Sequence, residues 1–405
     1  MRSDDSMQNP ATRYYRPGLD VVRLIAFLLV FFGHSLPGPP PFRIFNLLGP
    51  GVAALCELTI DCWRFGLSLF FTLSGFLIFE LLQRERHSTG SIGVKQFYIR
   101  RILRIWPLYY LALALGAMWA FRFGSGAADL PALGWFAVFL GSWFVNAHSW
   151  LGNPVYPLWS ISVEEQFYLL APWLAKYCSR RLLFVFCALV VVVANCALYL
   201  VATPTDEDAR VWTNSFIQFE CFAAGIFLSL YLNGRVPMMR AGARVLAVVG
   251  AALSWLVAAH FLSSFYQPSS HSSSWQLMIT YGLAASGSGL ILLAMLGFQG
   301  GPHSRWAIHL GQISYGLYVF HRFVLDLFEK IPMEKTGIND FHSHVLRGAL
   351  FFGVRVAAPL LATCVLAELS YRFFERPFLR MKERHRAIIS QPGETVESSV
   401  ITAPR

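Results

Sequence analysis

Long uninterrupted runs of hydrophobic positions alternate with short polar stretches along almost the whole chain. A run of about 17 to 25 apolar residues is the length that crosses the hydrocarbon core of a bilayer as a helix. The pattern therefore predicts an all-α polytopic membrane protein with ten transmembrane helices. The predicted spans are residues 19–36, 65–83, 103–121, 158–175, 182–202, 214–232, 245–264, 276–298, 308–328 and 348–371.

Positive charge is distributed unequally between the loops that join these spans. Of the 33 Lys and Arg residues, 23 fall in the two termini and the loops on their side, and 7 fall in the loops on the other side. Since cytoplasmic loops carry the excess of Lys and Arg, both termini are predicted to be cytoplasmic. The run at 131–146 is shorter and contains three small residues, Gly134, Gly141 and Ser142. Counting it as a span would spoil the asymmetry, so we predict a re-entrant or interfacial segment there.

The composition agrees with a membrane protein and excludes some other classes. Hydrophobic residues make up 55% of the 405, charged residues only 14%, and the mean hydropathy is +0.49. The net charge of +10 follows from the loop asymmetry and does not indicate nucleic-acid binding. Cys56 and Cys62 share the first outer loop, where they either pair or remain two free thiols. One membrane domain is expected over residues 1–380, followed by a disordered polar cytoplasmic tail over 381–405.

Polar residues at both ends of the first span are candidates for chemistry. Asp20 and Arg23 lie near one end and His34 near the other. Eleven residues correspond to three helical turns plus about 20°, so Arg23 and His34 face the same side, about 16 Å apart. A membrane histidine is in some cases only an interhelical hydrogen-bond partner. Alignment with a buried arginine, near the outer surface, favours a general base or nucleophile.

Three arginines cluster where the third span begins, in FYIRRILRIWPLYY at 97–110. Arg101 and Arg104 stand at positions i and i+3 on one helix face, directly after Arg100. Anchoring of the span at the cytoplasmic surface explains such a cluster. Guanidinium groups at a helix N-terminus also match phosphate oxygens in charge and geometry, which indicates a site for an anionic cytosolic ligand.

Two adjacent carboxylates, Glu164 and Glu165, enter the fourth span in PLWSISVEEQFYLLAPWL at 157–174. Neighbours in sequence cannot share a helix face, so one of them points into the bundle and requires a partner. His34 or a substrate hydroxyl is a candidate partner, and an ion pair with a buried arginine is the structural alternative. We predict that Glu164 acts with His34 and that Glu165 and Ser162 bind substrate.

The ninth span contains three unusual residues, His321, Arg322 and Asp326. At positions i and i+4, Arg322 and Asp326 can neutralise each other. We predict that His321, together with Asp20 of the first span, binds substrate. The HSH sequence at 342–344 has no further ligands nearby in sequence, so no metal site is predicted.

Six motifs, in order along residues 16–380, resemble the acyltransferase 3 family of bacterial integral-membrane acyltransferases. Members of this family O-acylate carbohydrates and other extracytoplasmic or small-molecule acceptors. The resemblance implies that Arg23 and His34 are needed for activity and that Arg101 and Arg104 handle the phosphates of acyl-CoA. The motifs are Arg23 followed after ten residues by His34, GLSLFFTLSGFLI at 66–78, the R-x-x-R of Arg101 and Arg104, LWSISVEEQFYLL at 158–170, ISYGLYVFH at 313–321 and YRFFERPF at 371–378.

Two positions depart from the family pattern. Ser68 stands where many members have an acidic residue, and Arg322 follows His321 where an aromatic residue is common. Both departures concern the acceptor pocket more than the reaction. The chain ends soon after the tenth predicted span, so we do not expect the fused esterase-like periplasmic domain that some members carry.

The motifs together predict an acyl-CoA-dependent O-acyltransferase of the bacterial inner membrane. His34, Arg23 and Glu164 are the predicted catalytic residues, and Arg100, Arg101 and Arg104 are predicted to bind acyl-CoA. Acyl-CoA, with acetyl-CoA as the family precedent, is a co-substrate and not a tightly bound cofactor. The predicted acceptor is a hydroxyl of a carbohydrate or lipid-linked glycan outside the cytoplasm.

Two other functions were weighed. A transporter or flippase of an anionic lipid-linked sugar would also place charges inside several spans, but such proteins often contain internal repeats, and this sequence shows none. An intramembrane hydrolase is a weaker alternative because the chain has neither an H-E-x-x-H nor a G-x-S-x-G motif.

Overall fold

The computed structural model describes residues 14–35, 49–124, 126–150, 152–201, 208–262, 273–298, 301, 304–331, 350 and 352–385. Helices account for most of these residues, and no β-strand occurs among them. The all-α fold class is therefore confirmed for this part of the chain. Most of the predicted disordered tail and the HSH sequence lie outside the described residues.

Sixteen α-helices occur in the described ranges. Their bounds are α1 Pro17–Ser35, α2 Pro50–Asp61, α3 Phe65–Thr89, α4 Val94–Phe123, α5 Leu130–Ala137, α6 Gly141–His148, α7 Trp159–Tyr177, α8 Arg180–Val201, α9 Asp208–Trp212, α10 Ser215–Leu232, α11 Ala241–Phe261, α12 Ser274–Leu296, α13 Arg305–Gln312, α14 Ser314–Glu329, α15 Ala358–Ser370 and α16 Arg376–Glu383. Two π-helical segments, Gly353–Ala357 and Tyr371–Glu375, flank α15.

Eight helical stretches in the described ranges are long and apolar enough to cross a membrane, and they match eight of the ten predicted spans. The second is longer than predicted because α2 and a 3₁₀ turn continue directly into α3. The eight are Pro17–Ser35, Pro50–Thr89, Val94–Phe123, Arg180–Val201, Ser215–Leu232, Ala241–Phe261, Ser274–Leu296 and Gly353–Glu383.

The two remaining predicted spans are helical but more polar. The fourth corresponds to α7, which is 19 residues long. The ninth, predicted as one helix over 308–328, is divided at Ile313 into α13 and α14. Helix α7 is long enough to span but contains two glutamates and a lysine, whereas α13 and α14, of 8 and 16 residues, are each too short alone.

The segment at 131–146 does not form a long helix. It folds into α5 and α6, each of eight residues. A helix of that length extends about 12 Å, which is far short of the hydrocarbon thickness of a bilayer. Neither helix is a span, although their position relative to the membrane surface stays a prediction.

Cys56 and Cys62, which the sequence left either paired or free, are both free thiols.

Helices α3 and α10 cross closely at two glycines. A Cβ atom built on Gly225 would lie 2.0 Å from the Thr72 carbonyl oxygen, and one built on Gly75 would lie 2.4 Å from the Phe222 carbonyl oxygen. Small residues at such crossings allow the backbones of membrane helices to approach each other. The α3–α10 contact therefore requires glycine at both positions.

We expect Gly225→Ala to destabilise the protein. The added methyl meets backbone, which cannot rotate away, so overpacking should cost about 1 to 3 kcal/mol. Gly289→Ala in α12 is the matched control, because open space surrounds that position. Thermal unfolding in detergent should show a lower midpoint for Gly225→Ala than for the wild-type protein. The midpoint of Gly289→Ala should not be lowered. Equal midpoints for the two variants would contradict the tight crossing.

Helix α1 lies at the centre of the candidate site. It packs against α3, α13 and α14. A Cβ on Gly311 of α13 would lie 1.9 Å from the Asp20 carbonyl oxygen, so these two backbones are in direct contact. This packing holds the Arg23 end of α1 near α13 and brings its His34 end to α14.

Candidate active site

A cavity of about 790 Å³ lies among α1, α3, α4, α7 and α14. We call it the arginine cavity, because Arg23, Arg101 and Arg104 all line it. Glu164 is the one carboxylate that the described residues contribute to its wall. The other polar side chains in its wall are Ser74, Ser160, Tyr168, Ser314, Tyr315 and Tyr318.

The arginine cavity has an excess of positive charge. The Arg101 guanidinium lies over the rings of Phe97 and Tyr168, with its carbon 5.5 and 5.4 Å from their centroids. Its buried Nε atom has no hydrogen-bond partner in the described part of the chain. Among those residues neither Arg101 nor Arg104 belongs to an ion pair. Two arginines without a carboxylate partner fit an anionic group that is supplied from outside the protein.

Glu164 is held within the arginine cavity. One of its carboxylate oxygens accepts a hydrogen bond from the Ser74 hydroxyl. His34 does not line this cavity. The predicted pairing of Glu164 with His34 is therefore not what the structure shows, because the two side chains lie in different cavities.

Glu165 and Ser162, both predicted to bind substrate, line neither cavity. The Trp106 indole donates to Glu165 Oε2 at 3.4 Å, and the other carboxylate oxygen is buried without a partner among the described residues. Ser162 is fully buried. Since α7 turns by about 100° per residue, the face that presents Glu164 to the cavity turns these two away from it.

Asp20 contacts Arg23 and not the cavities. Its Oδ1 atom forms an ion pair with Arg23 Nη1 one turn along α1, and Asp20 is buried. This contact orients a cavity arginine, and the substrate contact of Asp20 stays a prediction.

Arg100 also lies outside the arginine cavity. Its Nη2 atom lies 2.8 Å from Glu85 Oε2, and its Nη1 atom donates to the His385 carbonyl at 2.8 Å. Arg100 therefore links α4 to α3 and to the residues after α16. The structure separates it from Arg101 and Arg104, with which the sequence had grouped it.

A second cavity, of about 1680 Å³, is rich in aromatic side chains, and His34 opens into it. We call it the histidine cavity. Arg322 lies in its wall and pairs with Asp326 at 2.6 Å, which confirms the predicted neutralisation. Ser68, the other departure from the family pattern, is buried away from both cavities. The aromatic wall consists of Trp63, Trp119, Phe123, Trp150, Tyr156, Trp159, Trp212 and Tyr318.

His34 contacts His321 at the edge of the histidine cavity. The His34 Nδ1 and His321 Nε2 atoms are 3.1 Å apart. His321 is fully buried and is not part of the cavity wall. This contact is the interhelical hydrogen bond that the sequence analysis considered for His34, and substrate binding by His321 stays a prediction.

Tyr318 and Leu67 are the two residues of the described chain that line both cavities. The Tyr318 hydroxyl lies 2.7 Å from Ser160 Oγ and 2.8 Å from the Pro157 carbonyl oxygen. This tyrosine therefore stands where the two cavities approach each other, with its ring fixed by α7.

Sequence reasoning missed several residues of the arginine cavity, notably Ser160, Tyr168 and Tyr318. A spacing signal was present for all three. Ser160, Glu164 and Tyr168 are spaced by four residues, which places them on one face of α7. Tyr318 lies three residues before His321, on the same face of α14. Ser74 has no comparable signal, because its role depends on how α3 packs against α7.

Comparison with known proteins bears on this site. A family model described as an acyltransferase domain matches residues 16–363. The chain is 27% identical to the Bacillus subtilis (strain 168) protein named "Putative peptidoglycan O-acetyltransferase YrhL", over 96% of this chain and 59% of that protein. It is 25% identical to the peptidoglycan O-acetyltransferase OatA of Listeria monocytogenes, over 77% of this chain and 50% of OatA.

The chain thus spans between half and three fifths of the length of these relatives. No solved structure gives a significant match. The family match covers most of the sequence, including Arg23, His34, the R-x-x-R pair and all residues that line the two cavities. The chain therefore belongs to the acyltransferase 3 family.

Proposed function

We propose that this protein is a multi-pass O-acyltransferase of the bacterial inner membrane. It takes an acyl group, acetyl by the names of its relatives, from cytosolic acyl-CoA to a hydroxyl of a carbohydrate or lipid-linked glycan on the extracytoplasmic side. The proposal includes ten spans, with α7 and the α13–α14 pair as the fourth and ninth, and both termini in the cytoplasm. The observation that carries it is the pair of cavities that approach each other at Tyr318.

The charge of the arginine cavity supports acyl-CoA as the donor. In the proposed topology this cavity lies toward the cytoplasm, with Arg101 and Arg104 in the N-terminal part of α4. Their guanidinium groups suit the phosphates of coenzyme A, since planar forks bind phosphate oxygens in pairs. Arg23, oriented by Asp20, adds a third positive charge deeper along α1.

The reaction then takes place at the junction of the two cavities. The narrow pantetheine arm passes Arg23 and Tyr318 and presents its thioester near His34. The imidazole of His34 removes the proton of an acceptor hydroxyl bound in the histidine cavity. The aromatic wall of that cavity offers flat apolar surfaces for the acceptor. Attack by His34 itself on the thioester is the other form of the mechanism and gives an acyl-histidine intermediate.

A direct test uses purified protein in nanodiscs, where both faces are accessible. We expect radiolabelled acetyl-CoA to bind, and its label to appear on a supplied glycan acceptor with release of coenzyme A. Acetyl-CoA enclosed inside proteoliposomes, with acceptor outside, would then test transfer between compartments. If the protein neither binds nor cleaves acetyl-CoA, the proposal is wrong. Movement of a lipid-linked sugar without acyl-CoA would support the transporter alternative.

A further inference from the structure

The contact between His34 and His321 constrains which ring nitrogens carry hydrogen. The two rings have centroids 5.2 Å apart and planes inclined by 30°. At 3.1 Å, the separation of His34 Nδ1 and His321 Nε2 is that of a hydrogen bond, so one of the two nitrogens must carry the proton. Which nitrogen carries it determines which atom of His34 is free to act as a base.

A backbone carbonyl of α14 determines which nitrogen of His321 carries the proton. His321 Nδ1 contacts the carbonyl oxygen of Tyr318, one turn earlier in the same helix. A carbonyl oxygen only accepts hydrogen bonds, so His321 Nδ1 is the nitrogen that carries hydrogen. A neutral imidazole has one N–H group, which leaves His321 Nε2 with a lone pair. The ring is fully buried, with Phe27 edge-on at 6.3 Å, and such surroundings disfavour a second proton.

It follows that His34 Nδ1 is the donor in the contact between the rings. Its other nitrogen, Nε2, then holds the lone pair and accepts no hydrogen bond from the described part of the chain. His34 is exposed to the histidine cavity, whereas His321 is sealed behind it. Nδ1 of His34 is therefore hydrogen-bonded to His321, and Nε2 is free to accept a proton or to attack a substrate.

We infer that His321 is a positioning residue that, through the Tyr318 carbonyl, keeps neutral His34 in the form protonated at Nδ1 and free at Nε2. The inference rests on the proposed function for its catalytic meaning. It assigns to His321 the role that the sequence had suggested for Glu164. A histidine whose second nitrogen is held by a fixed acceptor has both its tautomer and its ring orientation defined.

The proton balance of the reaction is consistent with this arrangement. The acceptor hydroxyl gives its proton to His34 Nε2 as its oxygen bonds to the acyl carbon. The carbon–sulfur bond breaks, and the Nε2 proton passes to the departing thiolate. While Nε2 holds the proton, His34 is a cation, and its Nδ1–H bond to neutral His321 becomes charge-assisted and stronger. Attack by Nε2 on the thioester would need the same lone pair.

Three substitutions at residue 321 separate this role from simple packing. Gln carries an oxygen at about the reach of the lost Nε2 atom, so His321→Gln can still accept from His34. His321→Asn is too short to reach His34, and His321→Leu offers no acceptor. We expect Asn and Leu to lower kcat about 10²- to 10⁴-fold with KM for acetyl-CoA unchanged, and Gln to recover most of that loss. His260→Leu, at an exposed position of α11, is the control for loss of a histidine.

Nitrogen NMR of ¹⁵N-histidine-labelled protein gives a second readout that does not depend on activity. The signals of His34, assigned by their loss in His34→Gln, should show a protonated Nδ1 and a bare Nε2, and His321→Leu should mix the two tautomers. A bare Nδ1 in the unmodified protein would overturn the inference whatever the enzyme does. Full kcat in His321→Leu, with His34→Ala inactive, would overturn it while leaving the proposed function intact. Loss of the proposed function would instead appear as wild-type protein that does not cleave acetyl-CoA.

Discussion

His34→Ala should bind acetyl-CoA as wild-type protein does but fail to transfer the acetyl group. The imidazole lies in the histidine cavity, apart from the arginines that we propose hold the phosphates, so its removal leaves binding intact. Loss of a general base lowers turnover by about 10²- to 10⁴-fold, and loss of a nucleophile lowers it further. Equilibrium binding and single-turnover transfer, measured on the same preparation, separate the two effects.

Controls for this prediction come from other histidines of the bundle. His260→Ala alters an exposed residue of α11 and should leave transfer unchanged. Incubation of wild-type protein with labelled acetyl-CoA and no acceptor distinguishes the two forms of the mechanism. Label that remains on the protein and is absent from His34→Ala would identify the acyl-histidine. Transfer by His34→Ala at the wild-type rate would show that the base is a different group.

Loss of both arginines, Arg101→Ala with Arg104→Ala, should abolish the binding of acetyl-CoA. A hydrogen bond to a charged group contributes about 1.5 to 3 kcal/mol. Two such contacts correspond to about 3 to 6 kcal/mol, which is about a 10²- to 10⁴-fold rise in Kd. The remaining Glu164 would also make the cavity less favourable for an anion. Titration calorimetry with acetyl-CoA and with desulfo-coenzyme A measures the loss without turnover.

Arg100→Ala is the matched control, since it removes a neighbouring guanidinium that is already paired. Its partners are Glu85 and the His385 carbonyl, so the expected effect is a lower thermal midpoint with Kd nearly unchanged. Arg101→Lys keeps the charge but loses the planar fork and should show intermediate affinity. If Arg100→Ala weakens binding and the double variant does not, the assignment of the phosphate site to the arginine cavity is incorrect.

The sequence predicted the helical architecture well because hydrophobic run length is a direct consequence of bilayer thickness. It selected Arg23, Arg101, Arg104 and Glu164 as site residues, but it placed Glu164 with His34 and not with the arginines. Their common cavity depends on how five helices pack, which run length does not encode. For the same reason the sequence grouped Arg100 with its neighbours, although Glu85, nine residues before the start of α4, is close enough to bind it.

The partner of His34 was the least predictable part of the site. Both Glu164 and His321 were polar residues in a membrane span, and the sequence favoured Glu164 because a carboxylate inside an apolar helix requires a partner. The structure selects His321 because α1 packs along α14 as far as its last turn. Nothing in the spacing of residues within either helix indicates which of two other helices will be the neighbour.

The polarity of α7 and α14 also has a consequence for how the protein is made. Each charged residue near the middle of a helix adds about 2.5 to 3.5 kcal/mol to its insertion by the translocon. Helix α7, with its two glutamates, is joined by a two-residue connection to α8, the most apolar of the candidate spans. We therefore expect α7 to enter the bilayer together with α8, and α14 to remain there through the Arg322–Asp326 pair and its contact with α1. The two helices that contribute Glu164 and His321 are thus the ones that depend most on their neighbours during biogenesis.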